Sequence, residues 1–266
     1  MIKQTRRFLR SGALKIQEMF PLFPNSFALV TGAPRSGTGA MASWIGEQPW
    51  VKSFSETKRL FVAHRLREAL RKWERFSKKE ADERVRELLL NGYSQEGVYI
   101  GARLLLDKEP LDPLSLSPNE YGSFLSSVES IFPSVRFIVM VRSPEAVVSS
   151  IVNREWGFSL RQEKVKSRTV KDGITSWTEA NQLVTKIAEK ENSYLCQFEK
   201  LVEKPEEVSR ELARFLGLRK WNTFQPRETS EVALSRDERS RVWNETSECR
   251  EQLADIGISY TPEKGS

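Results

Sequence analysis

Cysteines and long apolar runs are scarce in this sequence of 266 residues. Only two cysteines occur, Cys196 in an apolar strand-like stretch and Cys249 in a charged helix-like stretch, too few for the disulfide framework of a small secreted domain. No window of about 18 apolar residues is found, and no apolar segment follows the basic start, so the pattern predicts neither a membrane anchor nor a secretory signal. We therefore expect a cytoplasmic protein.

The most informative motif is the segment GAPRSGT at residues 32–38, which follows an apolar strand-like stretch and precedes a helix-like one. A strand, a glycine-bearing turn and a helix N-terminus together form an anion-binding site. The glycines allow backbone N–H groups to converge on an oxyanion, while Ser36 and Thr38 supply hydroxyl donors and Arg35 supplies a fixed cation. The motif therefore predicts a site for a phosphate-like group.

Two residues that a magnesium-dependent nucleotide triphosphatase needs are missing around this motif. Thr38 follows Gly37 where such an enzyme has a lysine that reaches the terminal phosphate. The later apolar stretch at 137–141 ends in Arg142, where a metal-binding aspartate is expected. Both absences argue against ATP hydrolysis, and we expect no metal ion in the site.

A second anion site is predicted around Arg142. The residues SPE at 143–145 are typical of a helix N-cap, a first-turn proline and an acidic first turn, so a helix should begin directly after Arg142. Ser150 and Arg154 lie on one face of that helix. Because Arg142 leaves the carboxyl end of a strand, where open α/β sheets bind ligands, these three donors can surround one phosphate.

Strand-like and helix-like stretches alternate along the chain, which predicts a three-layer, P-loop-like α/β fold with a central parallel sheet and helices on both faces. The length and the 39% hydrophobic content suit a single domain, predicted over residues 27–266. A long, charged helical pattern at about 58–90 indicates a helical insertion after the second strand. The predicted strands lie near 27–30, 51–54, 98–107, 135–141 and 194–198, and the predicted helices near 119–132, 144–155, 172–190 and 205–216.

Lysine and arginine outnumber aspartate and glutamate by 42 to 36, which gives a net charge of +6. This excess suits a polyanionic cofactor, although a generic basic surface explains such charges equally well. Residues 1–26 form a basic leader with interspersed apolar residues, typical of an amphipathic helix that packs on the domain or, less commonly, touches an anionic membrane surface. No nucleic-acid partner is expected, and the oligomeric state is left open.

Several blocks of the chain resemble, in order, the sulfotransferases that use PAPS (3′-phosphoadenosine 5′-phosphosulfate). PRSGT at 34–38 is similar to the PRSGTT of their phosphosulfate loop, and RSPEAVVSS at 142–150 fits their R-x7-S loop. SETKRLF, LLLDKEP and CQFEKLVEKP resemble segments of the tyrosylprotein sulfotransferase-like branch, which read GEETR, NKDPF and YExL. The resemblance spans residues 27 to about 240 and implies transfer of a sulfuryl group from PAPS to a hydroxyl acceptor.

The resemblance assigns cofactor contacts to residues in both predicted anion sites. Gly39 stands where the family usually has a second threonine, Phe198 replaces the tyrosine of YExL and keeps only its apolar ring, and Arg236 matches a lysine that helps to hold the cofactor. The residues that match the phosphosulfate loop are Arg35, Ser36, Gly37, Thr38 and Gly39, and those that match the 3′-phosphate site are Arg142, Ser150 and Arg154.

Sulfuryl transfer needs a base for the acceptor hydroxyl and cations for the charge that develops on the leaving phosphate oxygen, but no metal ion. Glu56 follows the apolar stretch at 51–54, so it should emerge at the same sheet edge as the anion motif, and it matches the catalytic base of the tyrosylprotein branch. Lys108 also follows a strand-like stretch and matches a lysine that supports the leaving group. Arg35 is the second catalytic cation that the resemblance implies.

Other interpretations of these residues are open. Glu56 could be a charge at a helix N-terminus, and Lys108 could lie in a solvated turn beside acidic neighbours. His64, the only histidine, could compete as the base, but no motif surrounds it and we interpret it as a surface or hydrogen-bonded helical histidine.

Alternative functions are a P-loop nucleotide or sugar kinase and a catalytically silent nucleotide-binding protein. The acceptor could be a carbohydrate, a peptide tyrosine or a small alcohol, because all three require the same base and cofactor site.

Overall fold

The computed structural model describes residues 26–54, 58–73, 76–95, 102–111, 118–153, 168–226 and 234–262. Nearly all of the basic leader, Glu56 and Arg154 lie outside the described residues. Within the described ranges, no helix is long and apolar enough to cross a membrane. Both cysteines are buried and free, so they form no disulfide with each other.

In the described ranges, the sheet consists of five strands that all run parallel. They are β1 (Ser26–Gly32), β2 (Val51–Ser53), β3 (Leu104–Lys108), β4 (Val135–Val141) and β5 (Ser193–Gln197). Their order across the sheet is β2-β3-β1-β4-β5, so β1 lies at the centre between β3 and β4. This central parallel sheet confirms the predicted fold class.

Ten helices surround the sheet in the part of the chain that the structure describes. They are α1 (Thr38–Gly46), α2 (Arg59–Lys72), α3 (Lys78–Gln95), α4 (Pro118–Ile131), α5 (Pro144–Val152), α6 (Val170–Ala188), α7 (Phe198–Glu203), α8 (Pro205–Leu216), α9 (Arg236–Glu245) and α10 (Ser247–Asp255). The predicted helices near 119–132, 172–190 and 205–216 are confirmed as α4, α6 and α8, and α5 begins at the predicted residue.

The strands bury residues on both faces, which gives the fold its three layers. On β1, Phe27 and Leu29 point to one face, and Ala28 and Val30 to the other. The first face packs against helices that include α4, α5, α6 and α10, and the second against α1 and α8. Two hydrophobic clusters therefore hold the sheet, one on each side.

The connections around β1 leave the sheet toward opposite faces. Helix α1, which follows β1, covers one face, whereas α4 and α5, which follow the flanking strands β3 and β4, cover the other. In open α/β sheets, ligands bind in the crevice that such diverging connections leave at the carboxyl ends of the strands. The crevice lies where the sequence predicted the first anion site.

The helical insertion predicted at about 58–90 is observed as two helices, α2 and α3, with a break between them. Helix α2 ends where Trp73 adopts an extended conformation, with φ −81° and ψ 93°. Ser77 and Glu80 then exchange the two hydrogen bonds of a capping box, which starts α3. The sequence SKKE carries this signal, so the break could have been predicted.

His64 is buried between α2 and α4, where its Nδ1 lies 2.8 Å from Ser127 Oγ. The Ser127 hydroxyl donates to the Ser123 carbonyl at 2.9 Å and accepts from Arg67 Nη1 at 3.0 Å, so the imidazole Nδ1–H donates to it. Burial lowers the pKa of His64, which favours the neutral ring. The sequence indicated either a surface histidine or a hydrogen-bonded helical histidine at position 64, and the structure shows the second.

Ser127→Ala should lower the free energy of unfolding by about 1–3 kcal/mol, because buried donors of His64 and Arg67 lose their shared acceptor. The matched control is Ser126→Ala, since Ser126 donates to the carbonyl of Gly122 at 2.9 Å in the same way but is exposed. Urea titration of both variants measures the difference. Equal stability of the two variants would show that the buried network contributes nothing.

Candidate functional site

The carboxyl ends of four neighbouring strands bring predicted site residues to one edge of the sheet. Strand β1 runs into residues 33–37, here called the anion loop, and β3 ends in Lys108. Strand β4 is followed by Arg142, and β5 by Phe198. Because parallel strands share one direction, these four groups face the same crevice edge.

The anion loop has the backbone of an anion-binding turn. Arg35, at φ 71°, and Gly37, at φ 95°, both lie in the left-handed region, which is costly for residues that carry a Cβ. The N–H and the hydroxyl of Ser36 both donate to the Ala33 carbonyl, at 3.1 and 2.7 Å. Ser36 therefore holds the turn together, and its contact with a ligand stays a prediction. Thr38 then begins α1, whose first N–H groups have no partners within the helix.

A hydrogen bond joins the two predicted anion sites. The Arg35 Nε donates to Ser150 Oγ at 2.8 Å, and Ser150 lies on α5 as predicted. From β4, Arg142 Nη1 donates to the Arg35 carbonyl at 3.5 Å. The anion loop and the residues that follow β4 therefore form one continuous cluster of donors.

Lys108 reaches the N-terminus of α1. Its side chain is buried, with 8% exposed, and its Nζ lies 3.9 Å from the position that a Cβ would take on Gly39. The structure therefore does not have Lys108 in a solvated turn. A cation at a helix N-terminus opposes the helix dipole, and a bound anion would offset both positive charges. This position fits the predicted role of Lys108 beside a leaving phosphate.

The Phe198 ring lies between the anion loop and Arg142. The Arg142 guanidinium carbon is 4.7 Å from the ring centroid, within the range of a cation–π contact. A Cβ on Gly37 would come within 2.3 Å of the same ring, so the ring packs directly against the loop. Phe198 thus packs against both predicted anion sites, a position that the sequence did not predict.

Sequence reasoning missed two side chains that contact the main chain beside Arg142. The indole Nε1 of Trp177 donates to the Arg142 carbonyl at 2.9 Å, and Glu199 Oε1 accepts from the Ser143 N–H at 2.8 Å. Burial raises the pKa of Glu199, while the Ser143 N–H and Arg142 act in the opposite direction. No motif signals Trp177, but Glu199 belongs to the segment that matches YExL and could have been singled out.

Phe54 and Lys58, the residues nearest to Glu56 in the sequence that the structure describes, both contact the carboxyl end of β3. The Phe54 N–H donates to the Leu106 carbonyl at 2.8 Å, which extends the pairing of β2 with β3. Lys58 forms an ion pair with Glu109, which is buried directly after β3. Glu56 itself is outside the described residues, and its role as the base stays a prediction.

Two other predicted cofactor ligands are not placed in this cluster. Arg236 is the exposed first residue of α9, which begins at a capping box of Ser235 with Glu238. Helix α9 packs against α5, the helix that carries Ser150. Arg154 lies outside the described residues. The contacts of Arg236 and Arg154 with a cofactor stay predictions.

The cluster combines the cationic side chains of Arg35, Lys108 and Arg142 with the N-terminus of α1. Such a donor set fits a polyanion such as PAPS, which carries a phosphosulfate and a separate 3′-phosphate. The same cations can stabilise negative charge that develops on a leaving phosphate. Among the described residues, no group of three or more His, Cys, Asp or Glu side chains could hold a metal ion.

Comparison with known proteins points to one family. The model of the sulfotransferase family matches residues 28–223. Protein-tyrosine sulfotransferase 1 of Danio rerio is 29% identical over 201 residues, which cover 73% of this chain and 53% of that protein. Protein-tyrosine sulfotransferase A of Caenorhabditis elegans is 25% identical over 206 residues, which cover 72% of this chain and 50% of that protein. This chain therefore spans about half the length of these relatives. The matches confirm the resemblance to the sulfotransferase family and to its tyrosylprotein sulfotransferase-like branch.

Solved structures show the same fold. The sulfotransferase domain of the Synechococcus PCC 7002 olefin synthase matches with a TM-score of 0.54 and 18% identity, over 90% of this chain and 96% of that one. A sulfotransferase from Alicyclobacillus acidocaldarius matches with a TM-score of 0.56 and 17% identity, over 90% and 97%. At these identities the likeness concerns the fold alone, and it supports the P-loop-like class.

Gly37→Ala should lower the free energy of unfolding by more than about 1 kcal/mol, because the added Cβ meets both the left-handed backbone and the Phe198 ring. Gly39→Ala is the matched control: a Cβ there meets only Lys108 Nζ, at 3.9 Å, and should stabilise the helix by about 0.4–1 kcal/mol. Thermal unfolding of both variants measures the two effects. A Gly37→Ala protein as stable as the wild type would mean that the loop does not need this conformation.

Proposed function

The chain belongs to the sulfotransferase family, and we propose that it transfers a sulfuryl group from PAPS to an acceptor hydroxyl. The observation that carries this proposal is the hydrogen bond from Arg35 to Ser150, which joins the two anion sites. PAPS has two separate anionic ends, and a site of two connected halves can bind both. A single phosphate would need only one of them.

Each half of the site has a proposed task. When bound, PAPS supplies the sulfuryl group together with a phosphate leaving group. Arg35 and Lys108 flank the N-terminus of α1, where they neutralise the charge that develops on that leaving group. Arg142 and Ser150 hold the 3′-phosphate, Arg142 through its fork of N–H donors and Ser150 through its hydroxyl.

We assign the general base to Glu56. Its described neighbours, Phe54 and Lys58, are both attached to the end of β3, on the edge of the sheet that carries the cluster. The carboxylate takes the proton of the acceptor hydroxyl as the new oxygen–sulfur bond forms and the bond to the phosphate oxygen breaks. His64 does not suit this role, because its ring is buried between two helices and bonded to Ser127.

The acceptor that we propose is a hydroxyl group on a protein, with tyrosine as the first candidate. The support is the set of curated relatives, which are named protein-tyrosine sulfotransferases. Carbohydrates and small alcohols are the other acceptors to test, since the cofactor half of the site does not distinguish among them.

Titration with PAP, the product of PAPS, and with ATP tests the proposal when each is measured with and without magnesium. A sulfotransferase binds PAP in preference to ATP, and the metal has no effect. ATP binding that depends on magnesium would indicate a P-loop kinase. Incubation with radiolabelled PAPS and tyrosine peptides, saccharides or small alcohols then identifies the acceptor. Tight PAP binding without transfer to any acceptor would indicate a silent nucleotide-binding protein.

Arg142→Ala should weaken PAP binding by about 10- to 150-fold, because a charge-assisted hydrogen bond contributes about 1.5–3 kcal/mol. Binding of adenosine 5′-phosphosulfate, which lacks the 3′-phosphate, should change little. Arg136→Ala is the control, since Arg136 lies at the opposite end of β4 and donates to the Leu216 carbonyl at 3.3 Å. Calorimetry with both ligands measures the effect. Equal losses for the two ligands would remove Arg142 from the 3′-phosphate site.

Glu56→Gln should reduce turnover by about 10²- to 10⁴-fold with little change in PAP affinity, because the amide cannot accept the acceptor proton. Glu68→Gln, the same substitution on the half-exposed face of α2, should leave turnover unchanged. His64→Ala, assayed below its unfolding temperature, should also retain most of the turnover. Initial rates at saturating PAPS measure the turnover of each variant. If His64→Ala were inactive and Glu56→Gln active, His64 and not Glu56 would be the base.

A further inference from the structure

The peptide bond between Arg142 and Ser143 is held at both of its polar atoms by side chains from other parts of the chain. Its carbonyl accepts from Trp177 Nε1 at 2.9 Å, and its N–H donates to Glu199 Oε1 at 2.8 Å. Trp177 belongs to α6 and Glu199 to α7, so the two contacts come from separate elements. The carbonyl and N–H of a trans peptide point in opposite directions, so these two bonds oppose rotation of the peptide plane.

Trp177 gives the carbonyl contact a rigid anchor. It is a fully buried side chain on the core side of α6, with 0% exposed, and its ring forms a T-shaped contact with Tyr260 at 6.5 Å between centroids. A large ring that is packed on all sides has little freedom to move. Because the indole is a donor only, it selects the carbonyl of Arg142 and fixes its direction.

Glu199 replaces a contact that the start of α5 cannot make locally. Ser143 is the N-cap of α5, and in a capping box the side chain three residues later would bind its N–H. That residue is Ala146, which has no acceptor. In α6 and α9 the third residues, Asp172 and Glu238, complete their boxes. The start of α5 therefore depends on a carboxylate from α7.

We propose that Trp177 and Glu199 are positioning residues that clamp the Arg142–Ser143 peptide and thereby hold the 3′-phosphate half of the site in its binding geometry. This inference rests on the proposed function. The clamped peptide fixes the main chain at Arg142, the point from which its guanidinium side chain extends after β4. It also sets where α5 begins, and hence where Ser150 lies. A donor pair that is fixed before binding loses less conformational freedom when the ligand arrives.

Paired variants separate the clamp from a general loss of stability. Trp177→Phe removes the indole donor and keeps an aromatic ring. Trp44→Phe is its matched control, because Trp44 is also buried and its Nε1 donates to the Asn222 carbonyl at 2.7 Å, away from this peptide. We expect Trp177→Phe to lose about 3- to 10-fold in affinity for PAP and little for adenosine 5′-phosphosulfate. Trp44→Phe should keep the wild-type ratio of the two affinities.

Substitutions of Glu199 separate its hydrogen bond from its charge. Glu199→Gln keeps an acceptor for the Ser143 N–H, whereas Glu199→Leu does not, and both remove the negative charge beside Arg142. The clamp predicts that Glu199→Leu loses PAP affinity and that Glu199→Gln retains it. If both variants gained PAP affinity to the same extent, Glu199 would act through its charge and the clamp would be overturned.

Hydrogen exchange of the Ser143 amide tests the clamp without any ligand. The amide should exchange slowly in the wild type and in Glu199→Gln, and at least 10-fold faster in Glu199→Leu. Equal exchange in all three proteins would overturn the clamp whatever the ligand binding shows. A wild type that binds PAP no better than adenosine 5′-phosphosulfate would overturn the proposed function, and with it the role of the clamp in binding. A wild-type preference for PAP that survives in both Trp177→Phe and Glu199→Leu would overturn the clamp alone.

Discussion

The parallel pairing of β1 with β3 and β4 is the constraint on which the site depends. In this register Val30 lies beside Lys108, and Gly32 lies beside Met140, two residues before Arg142. The chain therefore leaves three adjacent strands at nearly the same height, and their loops meet without a long connection. Residues that are far apart in the sequence become one cluster because main-chain hydrogen bonds align the ends of their strands.

Bringing the cations Arg35, Lys108 and Arg142 together has an electrostatic cost that two contacts offset in part. Arg142 lies over the Phe198 ring, and the Arg35 Nε donates to Ser150. Lys108 approaches α1 from the neighbouring strand, whereas in a nucleotide triphosphatase the lysine belongs to the phosphate loop itself. The sheet, and not the loop, therefore sets the position of this charge. A bound polyanion would lower this cost further.

Features of the site that depend on neighbouring residues could be predicted from the sequence, and those that depend on distant ones could not. Local patterns predicted the anion loop and the N-cap at Ser143, because turn and cap chemistry act over a few residues. The alternation of strand-like with helix-like stretches predicted the parallel sheet. The packing of Phe198 on Gly37 and the bonds of Trp177 and Glu199 to the Arg142–Ser143 peptide involve separate elements. No short-range pattern encodes such contacts. The break between α2 and α3 had a local signal, the SKKE box, that the long charged helical pattern obscured.

The position of Phe198 between Gly37 and Arg142 has a consequence for how substitutions combine. Contacting residues often depart from additivity by about 0.5–3 kcal/mol, because each change alters the surroundings of the other. A side chain added at Gly37 displaces the ring on which Arg142 lies. A smaller residue at position 198 would relieve the contact with the ring, but the left-handed backbone at Gly37 would still oppose the added side chain. These three positions are therefore expected to be energetically coupled, so that the effects of substitutions among them do not simply add.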